Sequence, residues 1–176
     1  RGRYDAGMST TQHYDIPCTL GLEAALADEL EALGADDLRT RRGGVTCTGD
    51  LTFGYRACLW LRSAIRVQHV LGEFEVLQEK DLYDEVRALP WEQWITPDDT
   101  LAVQATVRDS VYTHAGFVAM RVKDAIVDRI RAQEGRRPSV DKKHPTLPLH
   151  IRLNKGKASL ARDFAGDVTA EAPPNE

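Results

Sequence analysis

The stretch from residue 115 to residue 133 constrains the fold most, because its apolar residues recur at the spacing of one helix face. The stripe consists of Val118, Val122, Ala125, Ile126 and Ile130. Gly135 follows the stripe as a candidate C-terminal cap. A helix with one apolar face is stable mainly when that face packs against other elements. The chain must therefore supply a sheet or further helices for this long helix to cover.

Strand-like segments stand on both sides of the long helix. The segments before it are residues 13–18, 38–48 around Gly43-Gly44, 65–77 with a break near Gly72, and 101–107. The segments after it are residues 149–153 and 158–164, which predict a closing hairpin across residues 154–157. Three shorter helices are predicted over residues 22–33, 51–62 after an N-cap at Asp50, and 81–89 before Pro90.

Strands and helices that alternate and close on a strand pair predict the α+β class, with mixed sheets covered by helices. A chain of 176 residues has room for one medium domain or two small ones. Its hydrophobic fraction of 42% and charged fraction of 28% are typical of soluble globular proteins. No apolar run approaches the roughly 20 residues that a membrane span needs. We therefore expect a cytoplasmic protein with no membrane partner.

The two ends of the sequence lack periodic patterns. Residues 1–12 are left out of the fold prediction, with Met8 as a candidate native start. Residues 165–176 contain three acids and no Lys or Arg, and they include Pro173-Pro174. We predict that both ends are disordered.

Charged residues are segregated along the chain, although the net charge is −4. Residues 15–37 hold seven acids and no Lys or Arg, whereas residues 39–66 hold six Arg against one acid. Residues 73–99 hold nine acids against two cations, and residues 108–157 hold twelve Lys or Arg against five acids. Segregation on this scale predicts a basic face suited to a polyanion. Solvated charges that the fold mixes again are an equally weighted alternative.

Motifs of small-molecule chemistry are missing from the sequence. There is no G-x-G-x-x-G or Walker loop for a phosphate, no G-x-S-x-G and no H-E-x-x-H. Cys18, Cys47 and Cys58 form no C-x-x-C pair, so we predict buried free thiols. The five histidines are scattered. We therefore predict no catalytic residue, no metal ligand and no cofactor site in this chain.

Several short strings together resemble a known family. The strings are Gly116–Asp128 (GFVAMRVKDAIVD), Arg137–Asp141 (RPSVD), Gly21-Leu22-Glu23, Gly43-Gly44-Val45 and Asp81-Leu82-Tyr83. In this order they resemble the N-terminal part of the bacterial large-subunit rRNA guanine-N2 methyltransferases of the RlmL type. The likeness extends from about Tyr14 to Asp167, and the V-K-D-A-I-V-D string is its most specific part.

The resemblance implies a domain order. Residues 13–52 would form a ferredoxin-like segment, and residues 53–164 a THUMP domain that binds RNA. In the family a methyltransferase domain that uses S-adenosylmethionine follows, and we expect this chain to lack it. The implied partners are large-subunit rRNA and that methyltransferase domain in cis. We expect the chain to be a monomer, and the parent protein to be the enzyme that uses the methyl donor.

An RNA-holding domain needs Lys and Arg side chains that contact phosphates. The candidates are Arg121, Lys123 and Arg131 on the long helix, Arg136, Arg137, Lys142 and Lys143 in the following loop, and Lys155 and Lys157 in the hairpin. A second group is Arg39, Arg41, Arg42, Arg62 and Arg66. For each residue the alternative is a solvated charge or an internal pair, such as Lys123 with the neighbouring Asp124. We assign Trp60, Trp91 and Trp94 to packing and predict no stacking of bases on aromatic rings.

Three other functions stay open at this point. Thiouridine and pseudouridine enzymes also carry THUMP domains, so the parent chemistry could differ. A self-contained enzyme would require a pocket around His114 or His144. A protein-interaction domain would use the acidic helix over residues 22–33.

Overall fold

The computed structural model describes residues 11–164, which form two compact units. The first unit comprises residues 11–71 and 161–164, and the second comprises residues 72–160. The predicted boundary between the ferredoxin-like and THUMP segments lies at residues 52 and 53, within the first unit. The predicted disorder of residues 1–10 and 165–176 falls outside the described residues.

The first unit is a sheet carrying two helices. Its elements are β1 (Gln12–Pro17), α1 (Glu23–Ala32), β2 (Asp36–Arg41), β3 (Gly44–Gly49), α2 (Leu51–Trp60) and the first half of β4 (Gln68–Glu75). The strand order is β2-β3-β1-β4, and β1 pairs antiparallel with both neighbours. Arg42 and Gly43 form the turn of the antiparallel β2–β3 hairpin, with Gly43 at a φ of 76°.

The core of the first unit gathers buried apolar residues from β1, α1, β3 and α2. Tyr14 lies at its centre, with its ring centroid 5.3 Å from that of Phe53 and 6.0 Å from that of Phe164. Gly54 lets α2 approach β1 closely, because a Cβ at this position would lie 2.6 Å from the Tyr14 hydroxyl oxygen. The predicted N-cap is confirmed: Asp50 Oδ1 accepts a hydrogen bond from the Phe53 amide over 2.6 Å.

The second unit contains the predicted long helix. Its elements are α3 (Glu79–Ala88), a 3-10 helix (Trp91–Gln93), β5 (Thr100–Arg108), α4 (Ala115–Glu134), β6 (Ser139–Val140), β7 (Leu147–Asn154) and most of β8 (Lys157–Asp163). The strand order is β8-β7-β5-β6, and β5 is parallel to both β6 and β7. The register of β5 with β7 runs from Leu101↔Leu147 to Arg108↔Asn154. This mixture of parallel and hairpin pairing confirms the α+β class.

One face of the second unit's sheet is buried under helices. All five residues of the α4 stripe are fully buried, as predicted, and so are alternate residues of β7 from Leu147 to Leu153. Gly135 ends α4 in the left-handed conformation that caps require. The other face of β5 carries Gln104, Thr106 and Arg108, which are exposed.

Three local predictions were wrong. β4 runs without interruption through Gly72, although a break was predicted there. The segment predicted as plain loop after α4 contains the short strand β6. Trp60 was assigned to packing, but its side chain at the end of α2 is 68% exposed, whereas Trp91 is fully buried.

Candidate nucleic-acid interface

Seven of the nine predicted RNA-binding residues lie at the two ends of one βαβ connection, and Arg121 and Lys123 lie along its helix α4. Because β5 and β7 are parallel and α4 joins them, α4 begins near the last residues of β5 and ends near the first residues of β7. We call residues 131–146 the helix-finish end. Residues 76–78, 109–117 and 155–157 form the helix-start end. The eight residues of β7 separate the two ends by about 23 Å at a rise of about 3.3 Å per residue.

The helix-finish end brings together five of the nine predicted residues. These exposed side chains are Arg131, Arg136, Arg137, Lys142 and Lys143. Arg136 also forms an ion pair with Asp98 over 2.9 Å, and both side chains are largely exposed. An exposed pair of this kind is weak and leaves the guanidinium able to exchange partners.

Backbone contacts hold the helix-finish loop in place. The Asp141 carboxylate accepts hydrogen bonds from the amides of Lys143 and His144 over 2.8 and 3.1 Å. These bonds lower the pKa of Asp141. Thr146 exchanges hydrogen bonds with Thr100 at the start of β5. The loop therefore presents its cations from a backbone that is tied to the sheet.

Two predicted residues on α4 are engaged with neighbouring side chains. The Arg121 guanidinium lies over the Tyr83 ring, 5.0 Å from its centroid. The Tyr83 hydroxyl in turn donates to Asp128 over 2.5 Å. Lys123 forms an ion pair of 2.6 Å with Asp124, the pairing considered from the sequence. Arg121 thus contributes to the contact between α3 and α4.

Arg129 was missed by the sequence reasoning and has a structural role. Its guanidinium donates to both carboxylate oxygens of Glu92 over 2.9 and 3.0 Å, and to the carbonyls of Arg87 and Ala88. The hydrogen bond from Arg129 is the main cause that lowers the pKa of Glu92. The only sequence signal was its position among the α4 cations, which does not distinguish a paired arginine from a free one.

The helix-start end holds the other two predicted residues, Lys155 and Lys157, both exposed. The Lys155 amide donates to the Arg108 carbonyl over 3.3 Å, and the Val76 amide donates to the Gly156 carbonyl over 2.8 Å. These bonds tie three connecting segments together. Exposed apolar side chains accompany the lysines here, and the sequence reasoning did not select them. Their signal is that Phe117 and Met120 fall outside the buried stripe of α4.

The second group of arginines lies in the first unit, where two form ion pairs and three are exposed. The Arg41 guanidinium binds the Asp15 carboxylate over 2.5 Å, and Arg66 lies 3.6 Å from Asp163. Arg39, Arg42 and Arg62 are exposed. Arg41 therefore fastens β2 to β1 through a half-buried ion pair.

Both histidines proposed for the enzyme alternative are exposed. His114 is exposed and precedes α4 without a side-chain capping bond, and His144 is exposed in the helix-finish loop. Within residues 11–164, no group of three or more His, Cys, Asp or Glu side chains could hold a metal ion. In the same residues, no helix has both the length and the apolar character needed to cross a membrane.

Comparison with known proteins resolves the family. Residues 78–163 match the THUMP domain family, and residues 14–68 match the RlmL ferredoxin-like domain. The chain joins an RlmL ferredoxin-like domain to a THUMP domain. This pair of domains confirms the resemblance seen in the sequence, and the THUMP match contains all of β5, α4 and β7.

Curated relatives of this ferredoxin-like and THUMP pair are rRNA methyltransferases. The ribosomal RNA large subunit methyltransferase K/L of Pseudomonas putida is 42% identical over 159 residues, which cover 90% of this chain and 22% of the relative. The protein of the same name from Syntrophotalea carbinolica is 44% identical over 84% of this chain and 21% of its own length. The chain thus spans about a fifth of these relatives.

Solved structures share the fold of both domains. A predicted N6-adenine-specific DNA methylase from Listeria monocytogenes has a TM-score of 0.77 at 29% identity, over 87% of this chain and 40% of that one. A putative methyltransferase, SMU.472, solved with SAH, has a TM-score of 0.79 at 28% identity, over 89% of this chain and 42% of that one. A 4-thiouridine synthetase in complex with RNA has the same fold at 14% identity and a TM-score of 0.55.

Proposed function

We propose that this chain holds large-subunit rRNA and positions it for a methyltransferase domain located in the rest of its parent protein. The observation that carries the proposal is the THUMP match over residues 78–163 in a chain 42% identical to a large-subunit rRNA methyltransferase. The parent would transfer a methyl group to N2 of a guanine, work as a monomer and reside in the cytoplasm. S-adenosylmethionine would bind in the parent's methyltransferase domain, so no residue of this chain is assigned to it.

The division of labour has a physical reason. A methyltransferase must hold a folded RNA while one base enters the active site. Contacts of Lys and Arg with phosphates supply affinity and register without selecting a base. A domain that carries such contacts and no catalytic group can therefore serve many RNA sequences of similar shape.

The helix-finish end is the surface we assign to the phosphates of a paired RNA stem. Arg137, Lys142 and Lys143 are exposed there on a loop tied to β5 and to its own backbone. A tied loop loses little conformational freedom when RNA binds, so more of each contact's free energy remains as affinity. Arg131 and Arg136 extend this surface along the end of α4.

The test is RNA binding by the 176-residue chain across a salt series. The variant Arg137→Ala, Lys142→Ala, Lys143→Ala removes three cations from the helix-finish end. The matched control is Arg39→Ala, Arg42→Ala, Arg62→Ala, which removes three exposed cations from the first unit. We expect the first variant to reduce the slope of log affinity against log salt by about 2 to 3, since each phosphate contact contributes about 0.7 to 0.9.

The control variant should keep most of the wild-type slope. If the salt slope falls equally in both variants, RNA binds through charge spread over the whole surface and not through the assigned loop. If the wild-type chain and its full-length parent both fail to bind folded rRNA at low ionic strength, the RNA-holding function is wrong.

A further inference from the structure

Within the second unit, most of the exposed large apolar side chains lie at the helix-start end or beside it. Leu77 is 64% exposed, Val111 45% and Phe117 44%, and Met120 lies one turn further along α4 at 47%. They come from three segments: the β4–α3 connection, the β5–α4 connection and the first turns of α4. At the helix-finish end, by contrast, the exposed large apolar residue among those described is Val140. The two ends therefore differ in chemistry, not only in position.

This apolar surface is held in a fixed shape. The Tyr112 side chain is buried, and its hydroxyl donates to the Glu79 carbonyl at the start of α3. The Phe117 ring packs against the Tyr112 ring, with 5.9 Å between the ring centroids and an angle of 39° between the ring planes. A half-exposed aromatic ring that already packs against a buried side chain has little rotational freedom left to lose. It can therefore stack on another planar group at a low entropic cost.

Two lysines lie next to the turn that Leu77 contacts. Leu77 contacts the β7–β8 turn, where a Cβ on Gly156 would lie 3.3 Å from Leu77 Cδ2, and Lys155 and Lys157 flank that glycine. The nearby Asp81 carboxylate is already engaged, since it accepts hydrogen bonds from the amides of Leu77 and Gln78 over 3.0 and 2.8 Å. Asp109 remains as an exposed acid, so the charge here is mixed and the apolar area distinguishes the surface.

We propose that the helix-start end binds an unpaired nucleotide of the RNA, with the base against Phe117 and Met120 and a flanking phosphate toward Lys155 and Lys157. This inference rests on the RNA-holding function proposed above. A base that is not paired offers an apolar face next to a charged backbone, the combination that this surface matches. A paired stem hides its base faces and offers only backbone to a protein.

The proposal also assigns different roles to the two ends. The helix-finish end contacts a stem through phosphates alone. The helix-start end, about 23 Å away along β7, recognises where the stem is interrupted. The THUMP domain would then select an RNA by the distance between a stem and an unpaired nucleotide, in addition to binding its charge.

The experiment compares two RNA hairpins that share one stem, of which one carries a single unpaired nucleotide. The start-end variant is Phe117→Ala, Met120→Ala, and the finish-end variant of the preceding test is the control. We expect wild type to bind the interrupted hairpin at least five-fold more tightly, since stacking on an aromatic side chain is worth about five-fold or more per base. The start-end variant should lose this preference and keep its affinity for the continuous stem. The finish-end variant should weaken both RNAs by a similar factor.

A conservative replacement separates stacking from folding. Phe117→Trp should retain the preference, and thermal unfolding of each variant should match wild type because both side chains are exposed. If wild type binds both hairpins equally, or the start-end variant keeps the preference, the inference is overturned while the RNA-holding function stands. The apolar surface would then serve a protein contact. If the wild-type chain and its full-length parent both bind neither hairpin, both proposals fail together.

Discussion

Arg162 Nε donates a hydrogen bond of 3.1 Å to Nδ1 of the buried His69. Because Nδ1 accepts this proton, the other ring nitrogen, Nε2, is the one that donates to Gln12 Oε1 over 2.8 Å. The contact links β8 to β4 and β1 within the first unit. A protonated His69 could no longer accept this hydrogen bond at Nδ1, and its positive charge would lie beside the Arg162 guanidinium.

The first prediction concerns stability against pH. Burial and the charge of Arg162 lower the pKa of His69 to about 4 from its ordinary 6.5. The unfolded chain therefore binds this proton more readily than the folded chain does. The stabilising contribution is complete above about pH 6.5 and is lost as the pH falls toward 4, by up to about 3 kcal/mol. Urea unfolding of wild type and His69→Gln between pH 8 and pH 4.5 measures it, and parallel pH profiles for the two proteins would contradict the assignment.

The second prediction separates two neighbouring arginines of α4. Arg129→Ala should lower the free energy of unfolding by about 1 to 3 kcal/mol, because it leaves Glu92 and two carbonyls without their donor. Arg131→Ala should change it by less than about 0.5 kcal/mol, since this side chain is exposed. Chemical denaturation measures both. RNA affinity should show the opposite order. When equal fractions of the two variants are folded, Arg131→Ala should lose more RNA affinity than Arg129→Ala.

A glycine pair tests the packing of α2. Gly54→Ala places a Cβ 2.6 Å from the Tyr14 hydroxyl oxygen and should destabilise the first unit by about 1 to 3 kcal/mol. Gly116→Ala is the matched control, because no atom lies within 4 Å of the added Cβ in the first turn of α4. It should leave stability unchanged or raise it by less than about 1 kcal/mol. Thermal unfolding distinguishes them, and equal effects would mean that helix propensity, not the contact with Tyr14, controls position 54.

Removal of the Asp50 carboxylate should weaken α2. Asp50→Ala deletes the acceptor of the Phe53 amide and should cost about 1 kcal/mol, whereas Asp50→Ser should restore most of it. The Asp50 carbonyl still accepts from the Tyr14 hydroxyl in both variants, so the comparison isolates the cap. Urea midpoints give the result, and the assignment would be wrong if serine and alanine were equally destabilising.

The ion pair between Arg136 and Asp98 competes with RNA for the guanidinium. Asp98→Asn should leave stability within about 0.5 kcal/mol, as the pair is exposed. It should raise RNA affinity at low ionic strength by about two- to five-fold, because it removes one negative charge from the assigned surface. The increase should vanish at high salt. An unchanged affinity at low salt would place Arg136 outside the RNA contact.

Local patterns predicted the elements whose signals are short-range. The α4 stripe, the cap at Asp50 and the hairpin turn at Lys155-Gly156 each depend on residues a few positions apart. The break expected at Gly72 failed because a glycine inside a strand has the same local signal as a glycine that ends one. The strand pairing of Gly72 depends on segments far away in the sequence, which a pattern of neighbouring residues does not include.

The candidate site was predictable in its composition but not in its geometry. The concentration of Lys and Arg in residues 108–157 identified the region. The partners of Arg121 and Arg136, at Tyr83 and Asp98, lie 38 residues away in sequence, so only the fold brings them together. The exposure of Phe117 and Trp60 was equally hidden, since an aromatic residue in an amphipathic helix is more often buried.

The return of β8 to the first unit imposes an order of events during synthesis. Phe164 is fully buried against Tyr14, yet 149 residues separate them in the sequence. The first unit cannot complete its core until the ribosome has delivered this last residue, whereas residues 72–160 are all available earlier. A nascent chain halted before β8 would therefore expose an unfinished N-terminal core. Residues 11–71 released alone should be captured by chaperones or proteases.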